Sequence, residues 1–183
     1  MKFCSSCGSS THIIIPEGDN RERFVCSSST CKLIHYQNPK IITGCLPISG
    51  DKVLLCKRAI EPRYGLWTLP AGFMENAETT EQGALRESWE EAQANLRIEH
   101  LYGLFNLPYI NQVYFFYKAE LTDNQFAAGE ESLEVRLFTE DEIPWDELAF
   151  SVVHQLLKHY FTDRKNGHFP LHTDDIVKPI KPS

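Results

Sequence analysis

The residues best suited to chemistry in this sequence are glutamates clustered between Gly72 and Ala94. Three of them, Glu87, Glu90 and Glu91, are spaced i, i+3 and i+4, which places three carboxylates on one face of a helix. Like charges at these spacings repel one another and destabilise an isolated helix. A hard divalent cation with oxygen ligands would offset that repulsion. The spacing therefore predicts a site for a divalent metal.

The helix that must carry these carboxylates has clear start and packing signals. Thr79 is suited to cap its N-terminus, with Gln82 three residues later completing a capping box. Leu85, Trp89 and Ala92 are spaced i, i+4 and i+7. We expect this apolar stripe to be buried while the carboxylates face a cleft.

One arginine lies among the glutamates. Arg86 follows Glu78 by eight residues and can pair with Glu78 or with Glu90, which would brace the loop before the helix. The alternative interpretation is an ordinary acidic surface helix, because charge runs are usually solvated faces. Three carboxylates on one face favour the metal site over that alternative.

This segment resembles the Nudix box, with the pattern Gly-x5-Glu-x7-Arg-Glu-x2-Glu-Glu, and residues 65–72 resemble that family's usual lead-in. Ser88 stands where an aliphatic residue is usual, and Gln93 stands where glycine is usual. Neither position supplies a ligand, so we expect these departures to affect local packing and the end of the helix. The resemblance covers residues 40–162.

The resemblance implies an α/β fold, a Nudix α/β/α sandwich with a mixed sheet, that hydrolyses a diphosphate bond with Mg²⁺ or Mn²⁺. Glu87 and Glu91 would be metal ligands, and the Gly72 carbonyl would be a further ligand. Glu90 would be a ligand or the base that positions water. Such ions neutralise charge on the diphosphate and make water nucleophilic near neutral pH.

Members of this family often add a carboxylate from outside the box. Here the acidic stretch of residues 129–138 resembles the glutamate-bearing segment before the last strand of dinucleotide-hydrolysing members. Glu131 is the first candidate, as a catalytic residue and metal ligand, and Glu134 is the second. The alternative is that both are acidic loop residues in solvent.

Motifs outside the box bear on the substrate. The Gln-Pro-Trp-Pro-Phe-Pro stretch of NADH diphosphatases is missing, and residues 105–116 stand in its place. That segment, with residues 44–46, 54–58, 65–72 and 131–134, resembles plant plastid-type FAD diphosphatases that also accept ADP-ribose. The implied reaction releases AMP plus FMN or ribose 5-phosphate.

Three aromatic residues are candidates to stack on adenine or flavin: Phe105, Tyr109 and Tyr114. We expect most other aromatics of this region to be core. Two other functions stay open at this point. One is a sensor that binds such nucleotides without turnover, and the other is a hydrolase of RNA ends or of dinucleoside polyphosphates.

Residues 1–36 differ in composition from the rest. Two cysteine pairs flank a hairpin-like segment, which is the layout of a zinc ribbon with four thiolate ligands. The pairs are Cys4 with Cys7 and Cys26 with Cys31. Alternatives are unligated thiols, or His12 or His35 as substitute ligands. The module resembles the N-terminal ribbons of some Nudix enzymes, and a four-thiolate site leaves no open position for catalysis.

The elements that must position these sites follow a three-part plan. We predict a zinc-ribbon β module over 1–36, a Nudix domain over 37–162 and a polar tail over 163–183 that is extended or packed on a partner. The predicted strands and last helix of the domain are Lys40–Ile48, Lys52–Arg58, Trp67–Leu69, Leu96–His100, Gln112–Leu121, Glu134–Phe138 and the helix Ser151–Phe161.

The composition restricts partners and location. Of 183 residues, 42% are hydrophobic, which suffices for a sizeable core, and the formal net charge is −7. Acidity disfavours nucleic acid as the main partner, and residues 1–36, with four basic and three acidic side chains, form no basic patch. No apolar run approaches the roughly 18 residues of a membrane helix.

The cysteines and the ribbon suggest a compartment and an assembly. Six cysteines, two of them in predicted core strands, do not resemble a secreted disulfide framework, and the N-terminus has no room for a signal peptide before Cys4. We therefore expect a cytoplasmic protein. Phe3, Ile13–Ile15 and Leu33–Ile34 offer more apolar area than so small a ribbon hides, which favours a homodimer.

Overall fold

The computed structural model of this protein describes residues 1–123 and 125–177. The chain divides into two compact units, Met1–Pro39 and Lys40–Ser183. Three strands form an antiparallel sheet in the first unit, in the order β1-β2-β3: Thr11–Ile14 (β1), Arg23–Cys26 (β2) and Ile34–His35 (β3). The first two pair as the hairpin that the sequence predicts, with Thr11 opposite Cys26.

The described residues of the second unit form one mixed sheet and two long helices. Its strands are Lys40–Ser49 (β4), Lys52–Arg58 (β5), Trp67–Thr68 (β6), Ala71–Phe73 (β7), Leu96–Leu107 (β8), Gln112–Leu121 (β9), Ser132–Phe138 (β10) and His172–Asp175 (β11). Its helices are Thr80–Ala92 (α1) and Ser151–Asn166 (α2), with short 3₁₀ turns at Pro108–Ile110, Glu140–Glu142 and Trp145–Glu147.

The sheet order is β10-β5-β4-β9-β8-β11, with β6 paired to β5 and β7 paired to β4. The β4–β9 and β8–β11 pairs are parallel and the other pairs are antiparallel, so the sheet is mixed. The central strand β4 is buried almost throughout because both faces of the sheet are covered.

The two helices cover opposite faces. Successive strand residues point to opposite sides of a sheet. Leu46 belongs to a core cluster with Leu156 and other apolar residues of α2, whereas the preceding Cys45 clusters with Ala84 of α1. The α/β/α sandwich implied by the resemblance is confirmed.

The apolar stripe predicted for α1 is wrong. Leu85 and Trp89 are 37% and 54% exposed, and the helix instead buries a face of small residues that includes Ala84 and Ala92. The Thr43 hydroxyl donates to the Thr80 carbonyl at 2.5 Å. Small side chains let the helix lie that close to β4, which a Leu–Trp stripe would prevent.

The two departures from the box pattern take part in this arrangement. Ser88 is fully buried, and its hydroxyl donates to the Ala84 carbonyl at 2.8 Å. Gln93 adopts the left-handed conformation, φ 46°, that glycine adopts more readily at a helix end. The capping box of Thr79 and Gln82 at the other end is confirmed.

The polar tail expected after residue 162 is also corrected. Helix α2 continues to Asn166, and β11 pairs in parallel with β8. The Asp163 carboxylate ties these elements together, because it accepts from the Tyr102 hydroxyl at 2.7 Å and lies 2.6 Å from His172 Nε2. The predicted tail residues 178–183 lie outside the described residues.

The bounds of other elements differ modestly from those predicted. Strand β8 extends seven residues beyond the predicted His100, to Leu107, because it pairs with β9 along its whole length through two register shifts. Among the described residues, the helices do not include one that is long and apolar enough to cross a membrane.

Candidate active site

A cleft with a volume of about 1020 Å³ lies beside α1 and carries most of the acidic side chains discussed above. The carboxylates that line it are Glu61, Glu75, Glu87, Glu90, Glu91, Glu130 and Glu131. Two arginines, Arg58 and Arg86, line it as well. The cleft is therefore strongly negative unless a cation occupies it.

Arg86 is tied to its neighbours through all its donor nitrogens. Its Nε and Nη2 donate to the two Glu78 oxygens at 3.0 and 2.8 Å, and Nη2 also donates to the Phe73 carbonyl at 3.2 Å. Its Nη1 donates to Glu87 at 2.7 Å and to Glu90 at 2.9 Å. Both pairs considered from the sequence form, and Arg86 itself offsets part of the glutamate repulsion.

This arginine braces the loop before α1. The Arg86 hydrogen bonds, together with the Glu75 backbone N–H, lower the pKa of Glu78 to about 2. Glu78 is therefore charged at neutral pH and holds residues 73–78 against the helix. Because its oxygens are used in this way, Glu78 supports the site without facing the cleft.

Glu91 lies at the floor of the cleft and is only 6% exposed. The Ala71 backbone N–H donates to one of its oxygens at 3.1 Å. Burial, and then the negative charges of Glu87 and Glu131, raise the pKa of Glu91 to about 8. Without a cation, this carboxyl is thus mostly protonated at neutral pH.

Glu87 is held against the backbone of β7. A Cβ at Gly72 would lie 2.3 to 2.4 Å from the Glu87 carboxyl atoms, so only glycine admits this approach. Burial raises the pKa of Glu87, with Arg86 acting in the opposite direction and Glu90 and Glu131 adding to the rise. Glu87 therefore lies against the Gly72 backbone, and Glu90 and Glu131 are near enough for their charges to act on its pKa. Among the described residues, the cysteines of the first unit are the one group whose ligand atoms already lie close enough together to hold a metal, so a cation in the cleft would have to draw the carboxylates closer.

The loop before β10 is docked on the C-terminal end of α1. The Gly129 N–H donates to the Glu91 carbonyl at 3.1 Å, and the Ala127 N–H donates to the Ala92 carbonyl at 2.9 Å. A Cβ at Gly129 would lie 1.7 Å from the Glu90 carbonyl oxygen. This contact brings Glu131 to the cleft, where its charge affects the pKa of both Glu87 and Glu91.

The importance of Gly129 was not inferred from the sequence. A glycine directly before two consecutive glutamates was the available signal, but its partner, the end of α1, is distant in sequence. The second candidate, Glu134, is not among the residues that line the cleft. It is exposed on β10 opposite Lys57, beyond a bulge that separates it from Glu131.

The three aromatic candidates for substrate stacking lie in different surroundings. Phe105 is completely buried in the core between the sheet and α2, so its proposed stacking on a substrate is wrong. Tyr109 is 43% exposed, and Tyr114 is half-buried and lines the cleft. Both line a second cavity beside it.

The four cysteines of the first unit converge. The sulfur atoms of Cys4, Cys7, Cys26 and Cys31 all lie within 4.8 Å of one another. The Cys7–Cys26 and Cys4–Cys31 sulfur pairs are 3.4 and 3.9 Å apart. A tetrahedral zinc with bonds of about 2.3 Å needs sulfur separations of about 3.8 Å. Neither His12 nor His35 belongs to this cluster.

Both sites suit metal ions of different kinds. Four sulfurs in a closed set match structural zinc, which prefers thiolates and needs no open position. Several carboxylates beside an open cleft match Mg²⁺ or Mn²⁺, which prefer oxygen ligands and keep positions for water and phosphate. The raised pKa of Glu91 means that its negative charge is unfavourable in this buried place, and a bound cation would stabilise that charge.

Comparison with known proteins agrees with this geometry. Residues 39–172 match the family model described as NUDIX domain, and residues 2–37 match the model described as Nudix N-terminal. A solved structure titled as a NUDIX hydrolase from Nitrosomonas europaea is 54% identical, with a TM-score of 0.93. That match covers 97% of this chain and 100% of the other.

Curated relatives are more distant. The "NAD-capped RNA hydrolase NudC" of Pseudomonas syringae is 27% identical over 93% of this chain and 59% of its own length. An "ADP-ribose pyrophosphatase" of Methanocaldococcus jannaschii is 27% identical over 72% of this chain and 78% of its own. The plant "Nudix hydrolase 19, chloroplastic" of Arabidopsis thaliana is 36% identical over 49% of this chain and 20% of its own.

The chain thus spans little more than half the length of the first of these relatives. The family model nevertheless covers most of the chain, including α1, the cleft and both loops that line it. The resemblance of the glutamate segment to the Nudix box, and of residues 1–36 to the family's ribbon, is confirmed. This chain belongs to the Nudix family and carries that family's N-terminal zinc-ribbon domain.

Proposed function

We propose that this protein hydrolyses the diphosphate bond of a nucleoside diphosphate linked to a second moiety. FAD and ADP-ribose are the favoured substrates, giving AMP plus FMN or ribose 5-phosphate. The supporting observation is the convergence of Glu87, Glu91 and Glu131 on an open cleft beside the Gly72 backbone. The charge of Glu131 acts on both box carboxylates, because it contributes to the raised pKa of Glu87 and of Glu91.

The residues of the cleft take separate roles in this proposal. Glu87, Glu91 and Glu131 would hold Mg²⁺ or Mn²⁺ together with the Gly72 carbonyl. When bound, such an ion neutralises phosphate oxygens and lowers the pKa of a bound water. Glu90 is exposed, and one of its oxygens accepts from Arg86; among the described residues its other oxygen has no partner, so it can orient that water or complete the ligand set.

The substrate class rests on two supports. The Methanocaldococcus relative is named for ADP-ribose, and its match covers 78% of that protein. The cleft continues into a second cavity, so there is room for the parts of the substrate on both sides of the diphosphate. FAD adds a second ring system, for which the resemblance of residues 105–116 to the plant enzymes is the support.

One experiment tests this proposal directly. The full chain is incubated with FAD, ADP-ribose, NADH, diadenosine polyphosphates and capped RNA, with Mg²⁺ and with Mn²⁺. We expect the highest kcat/KM for FAD or ADP-ribose, with AMP as a product. A Glu91→Gln variant controls for contaminating hydrolase. Hydrolysis of none of these compounds by the metal-loaded protein would refute the proposal.

A second candidate function is removal of NAD caps from RNA. The Pseudomonas syringae relative has that name, and its match includes the ribbon as well as the hydrolase domain. The ribbon's near-balanced charge, with four basic and three acidic residues, offers no patch for an RNA backbone. The same panel separates the two, because this candidate requires capped RNA to exceed both FAD and ADP-ribose in kcat/KM.

The remaining expectations concern the ribbon, the assembly and the compartment. We propose that Cys4, Cys7, Cys26 and Cys31 bind one structural zinc, on the fit of their sulfur separations. We also propose a homodimer, on the strong exposure of Phe3 and of residues 13–15 in the ribbon. The cytoplasm is the proposed compartment because all six cysteines are unbridged.

A further inference from the structure

A second cavity, with a volume of about 620 Å³, adjoins the catalytic cleft. Four residues line both spaces: Pro62, Phe73, Gln112 and Tyr114. A ligand whose diphosphate lies at the glutamates can therefore place one end in this second cavity. Its volume lies within the range of ordinary small-molecule sites.

The walls of the second cavity are rich in aromatic rings. Tyr109, on the turn after β8, is 43% exposed, and Trp145 and Phe150 lie before α2. The His154 ring packs edge-on against Trp145 with centroids 5.2 Å apart, and the Arg58 guanidinium lies 5.2 Å from the Phe150 centroid. These contacts help to fix Trp145 and Phe150, whereas Tyr109 makes no ring contact among the described residues and can stack on a flat ligand.

The charge of the second cavity is opposite to that of the cleft. Its charged lining residues are Arg63, Lys158 and Asp146, a positive balance, whereas the cleft has seven glutamates and two arginines. A metal-bound diphosphate suits the cleft. An uncharged aromatic ring with acceptor nitrogens suits the second cavity.

The side-chain amide of Gln112, which lines both the cleft and the second cavity, is held in one orientation. The Tyr114 hydroxyl donates to Gln112 Oε1 at 3.0 Å, which fixes the amide and leaves its NH₂ as a donor. Burial raises the pKa of Tyr114 to about 12, so the phenol stays protonated and keeps that orientation. Within the described part of the chain, the NH₂ of the Gln112 amide has no hydrogen-bond partner. It can therefore donate to a ring nitrogen of a ligand.

We propose that the second cavity binds the adenine ring of the substrate, with Tyr109 as the stacking residue and Gln112 as a donor. This assignment rests on the proposed function. ADP-ribose and FAD share adenine, whereas the other half of ADP-ribose contains no aromatic ring. An aromatic cavity used by both substrates must therefore hold adenine, and the flavin of FAD must extend elsewhere.

Adenosine binding tests the assignment without any need for metal or catalysis. Adenosine is added to the full-length protein, and saturation-transfer NMR is recorded on its ring protons. We expect transfer with the wild type and with Tyr109→Phe, and loss of transfer with Tyr109→Ala. Tyr64→Ala is the matched control, because Tyr64 is 57% exposed and lines neither cavity.

Steady-state kinetics give the second measurement. Loss of one aromatic stack should raise KM about 3- to 10-fold. With Tyr109→Ala we expect this rise for ADP-ribose and for FAD alike, with a smaller change in kcat, and none with Tyr64→Ala. AMP should weaken as an inhibitor by the same factor, whereas ribose 5-phosphate should not change.

The outcomes are distinct. A KM rise for FAD alone would mean that the cavity holds the flavin, which overturns the adenine assignment. Unchanged KM for both substrates, or no saturation transfer to adenosine in the wild type, also overturns it. If the wild type hydrolyses neither substrate, the proposed function fails, and the adenosine measurement still decides whether the cavity is an adenine site.

Discussion

Replacing Gly129 by alanine tests whether the loop before β10 positions the active site. Gly129 is not among the glycines with a positive φ, so alanine meets no left-handed strain there. The obstacle is steric, because the new Cβ would lie 1.7 Å from the Glu90 carbonyl oxygen and 2.8 Å from its carbonyl carbon. The carbonyl belongs to the helix backbone and cannot rotate away.

The size of the effect follows from these distances. To reach the 3.0 Å below which Cβ contacts are essentially never found, the loop must retreat by about 1.3 Å, the difference between 3.0 and 1.7 Å. That retreat breaks the hydrogen bonds from Ala127 and Gly129 to the end of α1. Two such bonds contribute about 1–3 kcal/mol to the free energy of unfolding. A catalytic group misplaced by about 1 Å lowers activity about 100-fold.

The assay is kcat/KM for the best diphosphate substrate, alongside the melting temperature and calorimetric titration with Mn²⁺. We expect Gly129→Ala to lower kcat/KM about 100-fold, to weaken Mn²⁺ binding and to lower the melting temperature by about 2–12 °C. Ala128→Ser is the matched control, because it enlarges an exposed neighbour in the same loop.

A double variant identifies the route of the effect. If Gly129 acts by placing Glu131, then Gly129→Ala combined with Glu131→Gln should be little worse than the more damaging single change. Multiplicative losses would instead mean that the loop supports the end of α1 independently of Glu131. Wild-type activity and Mn²⁺ affinity in Gly129→Ala would refute the positioning role altogether.

Five further predictions concern the site, the ribbon and the assembly. Glu91→Gln should lower kcat at least about 100-fold, because it removes a charged side chain that we propose holds the metal; near-normal turnover would contradict that role. The raised pKa of Glu91 means that the folded metal-free protein binds a proton that the unfolded chain has released, so its stability should fall as pH rises from about 4.5 to about 8. Melting curves between pH 5 and 9 should show this fall in the wild type and a smaller one in Glu91→Gln. Glu131→Gln should reduce kcat/KM much more than Glu134→Gln, and equal small losses would mean that neither carboxylate assists. Metal analysis should find about one zinc per chain, and Cys7→Ser should lose it and loosen residues 1–36 while hydrolysis persists; ordered zinc-free protein would exclude a structural role for the metal. Light scattering of the full chain at micromolar concentration should give the mass of a dimer, and a monomer would contradict the proposed assembly.

Local spacing sufficed to predict the carboxylate helix and its start. The capping box of Thr79 and Gln82 needs only residues three apart, and the Arg86 pairs with Glu78 and Glu90 join residues within eight positions. The cysteine pairs likewise predicted a four-sulfur cluster, because two pairs joined by a hairpin bring their ends together. Interactions over such short separations depend little on the rest of the fold.

Side-chain packing explains why two predictions from the sequence were wrong. The helical spacing of apolar residues predicted that Leu85 and Trp89 are buried. The close contact between α1 and β4 instead requires small side chains, and Ala84 and Ser88 are the residues buried there. Phe105 has the same aromatic character as a stacking residue, and only its place under α2 shows that it is core.

Long-range contacts decided the rest of the site. The choice of Glu131 over Glu134 depends on a loop that meets the end of α1 some forty residues earlier in the chain, through backbone groups that any sequence possesses. The second cavity joins the turn after β8 to the start of α2, and β11 returns to pair with β8. The sequence by itself determined the chemistry and its local spacing. Tertiary structure decided burial, and with it the pKa of Glu91 and the carboxylates that share the cleft, because burial is a property of the surroundings and not of the residue.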